Sequence, residues 1–177
     1  AHIKKCLNFA IKKKFNYAVM IHGDGQFDPK YISKMISILS RKDNIGAVTG
    51  SRMLRGISSV KKGGMPFYKM IGNILLTKLF NLLLNTNFTD THTGLWAYNI
   101  NYKKNKKFNF LTDSFNFDQQ FRMHFINRNI KINEIPIKTK YGDERSQLHV
   151  KYAIKFLFNV IIFFIYKFRI INIKKYN

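Results

Sequence analysis

The sequence predicts an α/β fold with strands running parallel in one sheet, and three observations lead there. Short continuous apolar runs of strand length, residues 17–21 and 45–49, alternate with stretches of helical apolar spacing. Each run closes in a polar, glycine-bearing turn, His22-Gly-Asp-Gly-Gln26 after the first and Gly50-Ser-Arg52 after the second. Helix-start signals stand where helices should begin, at Asp28-Pro29 and at Pro66.

Taken in chain order, residues 2–14 carry Ile3, Leu7, Ala10 and Ile11 at helical spacing. Residues 17–21 read as a buried strand. A helix then runs from Asp28-Pro29 to about Ser40, with Ile32, Met35, Ile36 and Leu39 on one face. Residues 45–49 form a second buried strand. Residues 53–65 read as a loop with Gly56, Gly63 and Gly64, and Pro66 opens a long amphipathic helix to about Leu84. Residues 91–98 read as a strand, 116–128 as a helix, and 131–137 as a half-buried strand of alternating character. A loop covers 138–148.

The tail differs. Residues 152–166 are almost wholly apolar, broken by Lys155 and Asn159 and flanked by Lys151, Lys167 and Arg169. This run is shorter than the roughly 20 apolar residues that a membrane span needs. It reads either as an amphipathic helix at a bilayer surface or as a buried core helix. The chain is therefore divided into 1–149, one catalytic-type domain, and 150–177, a membrane-associated helix with a basic tail.

Composition constrains the partners. The 177 residues carry 31 Lys+Arg against 9 Asp+Glu, a formal net charge of +22, with 46% hydrophobic residues. Such apolar content suits a packed core. The charge indicates an anionic partner such as a lipid surface or a phosphorylated substrate. It equally fits the codon usage of an AT-rich genome, since Lys, Asn, Ile and Phe are abundant together. The cations are spread along the chain, without the basic–aromatic pattern of nucleic-acid modules, so no nucleic-acid partner is expected. A lone cysteine, Cys6, excludes an internal disulfide and fits a reducing compartment. The chain begins with Ala1 inside a helical stretch, which suggests that sequence precedes it.

In open α/β sheets, ligands sit beyond the C-terminal ends of strands. His22, Asp24 and Gln26 follow the first strand, and Ser51 and Arg52 follow the second. Asp24 is suited to a hard divalent cation, to which Gln26 can add a carbonyl oxygen and His22 an imidazole. By itself such a segment is more often an ordinary turn. Arg52 has the planar fork that suits phosphate, or closes a structural ion pair.

The order of motifs adds to this. VMIHGDGQFDPKYI (19–32), TGSRM (49–53), GGMPFYKMIGN (63–73), TDTHTGLWAY (89–98), FNFDQQF (115–121) and INEIPIKTKYGDERS (132–146) follow one another along most of the chain. This series resembles the inverting family 2 glycosyltransferases, and most of all the dolichyl/polyprenyl-phosphate sugar transferases and their bacterial cell-envelope relatives.

The resemblance implies a GT-A fold, Rossmann-like, of which this chain is the C-terminal portion. It implies a nucleotide-sugar donor, a polyprenyl-phosphate or glycan acceptor, and Mg²⁺ or Mn²⁺. The family's Asp-x-Asp-x-Gln falls on His22, Asp24 and Gln26, with histidine replacing the first aspartate; an imidazole ligand favours Mn²⁺. Asp90 is the candidate catalytic carboxylate, as a base toward an acceptor hydroxyl or as an orienting group toward an acceptor phosphate. Lys69 and Asn73 fall where the lipid-phosphate relatives have Arg-x-x-x-Ser, and Arg145 and Ser146 lie in a loop that closes over the site in relatives. Asp118 is either a second functional carboxylate or a helix-start residue. The family's base-binding N-terminal strand and helix are not in this sequence, so the chain alone is expected to be inactive. The expected location is peripheral, on the cytoplasmic face of a membrane. The alternative is a non-catalytic, membrane-associated glycosyltransferase-like protein.

Overall fold

A computed structural model describes residues 2–41, 44–100, 111–113, 116–141 and 150–167, with the side chains of 150–152 excepted. The elements are α1 (His2–Lys12), β1 (Tyr17–Met20), α2 (Tyr31–Arg41), β2 (Ile45–Ser51), a 3-10 turn (Met53–Arg55), α3 (Ile57–Lys62), α4 (Phe67–Leu84), β3 (Trp96–Asn99), α5 (Phe117–Asn127), β4 (Lys131–Pro136) and α6 (Val150–Lys167).

The strands form one sheet in the order β1-β3-β2-β4. The expectation of parallel strands is corrected here. β3 runs antiparallel to both β1 and β2, while β2 and β4 are parallel. A short apolar run carries no information on strand direction. The strand that enters from the 89–95 turn simply runs back between two strands that share one direction.

Strand alternation splits the core cleanly. Ala47, Trp96 and Tyr98 pack on one face against Leu7 and Ala10 of α1 and Phe121 and Phe125 of α5. Val48, Leu95, Ala97 and Ile135 pack on the other face against Tyr31, Met35 and Leu39 of α2. β2 is buried along its whole length, as its unbroken small and apolar sequence requires.

The helix starts follow the sequence with small shifts. The Asp28 carboxylate accepts from the Lys30 backbone N–H at 2.9 Å, and α2 begins just beyond that turn. Pro66 stands immediately before α4, which ends at Asn85 in the left-handed conformation, φ 52°. Residues 53–65, expected as a loop, hold the 3-10 turn and α3. A third core cluster joins Phe80 and Leu84 of α4, Met123 of α5, and Phe156, Val160 and Phe163 of α6. The inner face of α6 is thus built into the helical layer, and Lys167 donates to the Leu84 carbonyl at 3.1 Å.

Candidate active site

Strand register gathers the polar segments at one edge of the sheet. Met20 and Thr49 both pair with Trp96, and Ser51 pairs with Pro136. The segments that follow β1, β2 and β4 and the segment that precedes β3 therefore leave the sheet side by side. This is the edge where open α/β sheets bind ligands.

Asp90 is the centre of the network and is fully buried. Its Oδ2 accepts from Arg52 Nε at 2.6 Å and from the Arg52 backbone N–H at 3.2 Å. Its Oδ1 accepts from Arg52 Nη2 at 2.8 Å, Asn73 Nδ2 at 2.9 Å and the His92 backbone N–H at 3.1 Å. Burial alone would push this carboxyl up. The Arg52 guanidinium and the hydrogen bonds from Arg52 and Asn73 outweigh burial and hold it well below the usual carboxylate range. So held, Asp90 keeps its charge and is a poor proton acceptor.

Arg52 is equally committed. Its side chain is 11% exposed. Nη1 donates to the Tyr141 hydroxyl at 2.7 Å, and Nη2 also reaches the His92 carbonyl at 3.1 Å. Of the two roles the sequence left open for this residue, the geometry displays the ion pair. Asn73 is also turned inward. It projects from the buried side of α4, where its Oδ1 accepts from Thr77 Oγ1 at 3.1 Å. Thr77 and Thr91 hydroxyls lie 2.9 Å apart. Lys69 is half-buried one turn earlier, with its ammonium 6.0 Å from the Tyr68 ring centroid.

A second carboxylate supports the first. Glu134 accepts from the Thr89 backbone N–H at 2.7 Å, the Thr89 hydroxyl at 2.9 Å and the Asp90 backbone N–H at 3.1 Å. The Ser51 and Thr89 hydroxyls are 2.6 Å apart. β4 is thereby locked to the turn that carries Asp90.

Behind the turn lies Arg122, with no exposure. Its guanidinium carbon lies 4.4 Å from the Phe88 ring centroid and 4.8 Å from that of Trp96, and Nη2 reaches the Asp90 carbonyl at 3.4 Å. Burial lowers its pKa, while Glu134, Asp90 and Asp118 oppose that. Asp118, one turn earlier on α5, has a buried Oδ1 with no hydrogen-bond partner among the described residues. Burial pushes its carboxyl up to about 7, with Arg122 offsetting only part of the effect. His92 lies 4.3 Å, centroid to centroid, from Phe156 of α6, and burial pushes its imidazole down to about 4.

The glycine-rich turn after β1 is open by comparison. Asp24 Oδ1 accepts from the Gln26 backbone N–H at 3.1 Å, and Oδ2 lies 3.9 Å from His22 Nδ1. The His22 ring covers Gly94: a Cβ at residue 94 would come within 2.6 Å of His22 Cε1. Glycine there lets the half-exposed ring lie against the Thr93-Gly94 backbone. The segment after β4 closes the other side. Phe27 and Thr139 form an antiparallel bridge, and the Tyr141 N–H donates to the Gly63 carbonyl at 2.8 Å.

The donor set can be tested for a cation. Among the described residues no group of three His, Cys, Asp or Glu side chains converges. Asp24 and His22 are both partly exposed and adjacent, so they supply two donors facing solvent. That fits a cation shared with the oxygens of a bound diphosphate and does not fit a closed, all-protein cage. Arg145 and Ser146 lie outside the described residues.

Sequence reasoning singled out Asp90, Arg52 and Asn73 but missed that they bind one another. It also passed over Glu134, Tyr141, His92 and Arg122. Glu134 carried a usable signal, as a carboxylate in an apolar strand of a chain with 9 acids. Arg122 carried none, because its position on an aromatic-rich helix looks like any exposed cation.

The chain matches no protein-family model. It is 26% identical over 155 residues to the uncharacterized protein MJ1222 of Methanocaldococcus jannaschii, covering 86% of this chain and 62% of that protein. Glucosyl-3-phosphoglycerate synthase from Mycobacterium tuberculosis, solved with phosphoglyceric acid, is similar in structure, with a TM-score of 0.53 and 11% identity. The match covers 86% of this chain and 49% of the synthase. The same synthase solved with Mn²⁺, UDP and glucosyl-3-phosphoglycerate matches with a TM-score of 0.52 at 12% identity. The chain thus spans about half the synthase and under two thirds of the archaeal protein. With its mixed sheet, helices on both faces and polar loops at one edge, the chain has the α/β fold of the GT-A glycosyltransferases, in its C-terminal portion.

Proposed function

We propose that this chain is the acceptor-side part of an inverting glycosyltransferase of the family 2 type. The enzyme moves a sugar from a nucleotide-sugar donor to a polyprenyl-phosphate or cell-envelope glycan acceptor. The observation that carries this reading is the meeting of the open Asp24 turn with the buried Arg52–Asp90–Glu134 network at the ligand-binding edge of a GT-A sheet. The structural neighbour that contains Mn²⁺ and UDP supports the donor class.

In this reading Asp24, with His22 and Gln26, would hold Mg²⁺ or Mn²⁺ where the donor binds. When bound, the cation neutralises charge on the leaving group. The remaining chemistry belongs to the chain. Gly94 leaves room for the His22 ring beside the turn. Asp90 works as an orienting group: it fixes Arg52, and through Arg52 the Tyr141 end of the segment after β4. A carboxylate with its oxygens so engaged does not serve as a base. An acceptor that arrives as an anion needs no base, which favours a phosphate acceptor over a sugar hydroxyl. Lys69, at the start of α4, is a cation suited to that phosphate, while Arg145 and Ser146 belong, by the resemblance, to a substrate-binding loop that closes over the site. The protein is read as peripheral to the cytoplasmic face of a membrane, with 150–177 contributing to its attachment.

The test is sugar transfer by the full-length protein, from a panel of nucleotide sugars to polyprenyl phosphate. Transfer should stop with chelator and recover with Mn²⁺ or Mg²⁺, and Asp24→Ala should lower it at least about 100-fold, the size of a lost electrostatic contribution to catalysis. Transfer indifferent to both would overturn the reading.

A further inference from the structure

Among the described residues, exposed large apolar side chains lie mostly in two places, the stretch from the 3-10 turn through α4 and the outer side of α6, with Phe9 and Phe15 apart from both. On α4 they are Phe67, Tyr68, Ile71, Leu75, Leu79 and Leu82, with Leu82 79% exposed. At 100° per residue these positions fall within an arc of about 120° on one side of the helix. Lys78 is the exposed polar residue within that arc. Leu54 and Ile57 extend the apolar surface beyond the N-terminal end of α4. On α6, Ile154, Phe158 and Ile161 are exposed at helical spacing.

The opposite side of α4 is occupied. Asn73 and Thr77 bind Asp90 and the Thr91 hydroxyl, and Phe80 and Leu84 enter the core. α4 is long and apolar enough to cross a bilayer by length and composition. It cannot do so in this fold, because one side is hydrogen-bonded to the site. A helix with one side committed to protein and the other aliphatic and uncovered is built to lie flat in an interface.

Charge selects the occupant. From Met53 to Thr89 the chain holds no Asp or Glu, and α6 holds none. The cations Arg55, Lys61, Lys62, Lys69, Lys78 and Lys155 fall within these same elements. An apolar arc accompanied by cations alone complements anionic headgroups over acyl chains. The aromatics Phe67 and Tyr68 at the start of α4 suit the headgroup level.

We infer that the outer arc of α4, aided by the outer side of α6, is a docking surface for an anionic lipid bilayer, with α4 lying in the interface plane. α4 then forms the floor between membrane and site: its lipid side holds Leu75 and Leu82, and its other side holds Asn73 against Asp90. The Asp90 network lies about one helix diameter, roughly 10 Å, above the lipid surface. This inference rests on the proposed function for the membrane partner but not for the chemistry. Its test reads binding, so it can fail while sugar transfer stands, and the reverse.

The test is co-sedimentation of the full-length protein with vesicles of phosphatidylglycerol and phosphatidylcholine, against vesicles of phosphatidylcholine alone. Leu75→Gln/Leu82→Gln alters exposed positions and should keep the wild-type melting temperature within a few degrees. Its binding to the anionic vesicles should fall by more than about tenfold. Ile154→Gln/Phe158→Gln should weaken binding by a smaller factor. Wild-type binding should drop in high salt and be weaker on neutral vesicles. Unchanged binding by the α4 variant, or equal binding to neutral vesicles, would overturn the inference. So would a vesicle-free, concentration-dependent dimer that the α4 variant abolishes, since a second copy would then be the occupant.

Discussion

Arg52 and Asp90 meet side-on, with Nε donating to Oδ2 at 2.6 Å and Nη2 donating to Oδ1 at 2.8 Å, and no part of Asp90 reaches solvent. The pair joins the turn after β2 to the turn before β3, and its hydrogen bonds to Asn73 and Tyr141 bring in α4 and the segment after β4. Residues 17 to 89 positions apart along the chain are thereby fixed at one point.

Removing one member should destabilise strongly. Arg52→Met leaves a buried carboxylate without its cation, and a loss of about 3–5 kcal/mol is expected. Arg52→Lys keeps charge but not the fork and should recover only part of it. Urea unfolding of the three proteins checks both statements.

Tyr141→Phe removes the acceptor for Arg52 Nη1 while keeping the ring. A loss of about 1.5–3 kcal/mol is expected for a hydrogen bond to a charged group. In a double-mutant cycle with Arg52→Met, that loss should largely vanish, because the shared partner is already gone.

Gly94→Ala places a methyl group against the His22 ring. The half-exposed ring sits at the end of a side chain that can swing aside, so the cost should be small, about 1 kcal/mol or less. His22→Ala should relieve the clash, so the double variant should be more stable than Gly94→Ala alone. Thermal unfolding of the set decides this.

Asp118 and His92 should give stability opposite pH dependences. The Asp118 carboxyl is raised in the folded state to about 7, so the folded protein binds more protons than the unfolded chain between about pH 4 and 7. Its contribution falls as pH rises through that window. Asp118→Asn should therefore gain stability relative to wild type at pH 8 and lose that advantage near pH 4. The His92 imidazole is lowered to about 4, so its contribution is lost as pH falls from about 6.5 to 4. His92→Phe should flatten the acid side of the stability profile. Melting temperatures from pH 4 to 8 measure both.

Much of the fold was legible because its signals are local. Pro66 and the apolar spacing after it placed α4, and the run 45–49 placed β2, whose unbroken apolar character matched a strand buried on both faces. Strand order was not legible. β3 reads as an apolar run, and nothing in Trp-Ala-Tyr-Asn states that it runs against its neighbours. The site was legible as a set of residues and not as a set of partners. Arg52, Asn73 and Asp90 each look like ligand-binding groups because a buried polar residue and a catalytic one draw on the same side chains. Which of them faces a ligand depends on contacts made across the sheet. The helix at 150–167 illustrates the same limit. Its composition fits a membrane surface and a core equally, and the structure shows one side serving the core through Phe156, Val160 and Phe163.

Binding of nucleoside diphosphates to the full-length protein, measured by titration calorimetry with and without Mn²⁺, bears most directly on the proposal that this edge of the sheet receives a nucleotide-sugar donor through a cation at Asp24. At least one member of a panel that includes UDP and GDP should bind in the presence of Mn²⁺, weaken by more than about tenfold in its absence, and weaken similarly for Asp24→Asn with Mn²⁺ present, each loss corresponding to about 1.4 kcal/mol or more. No binding by any diphosphate, or binding of equal strength with chelator and in Asp24→Asn, would contradict the account.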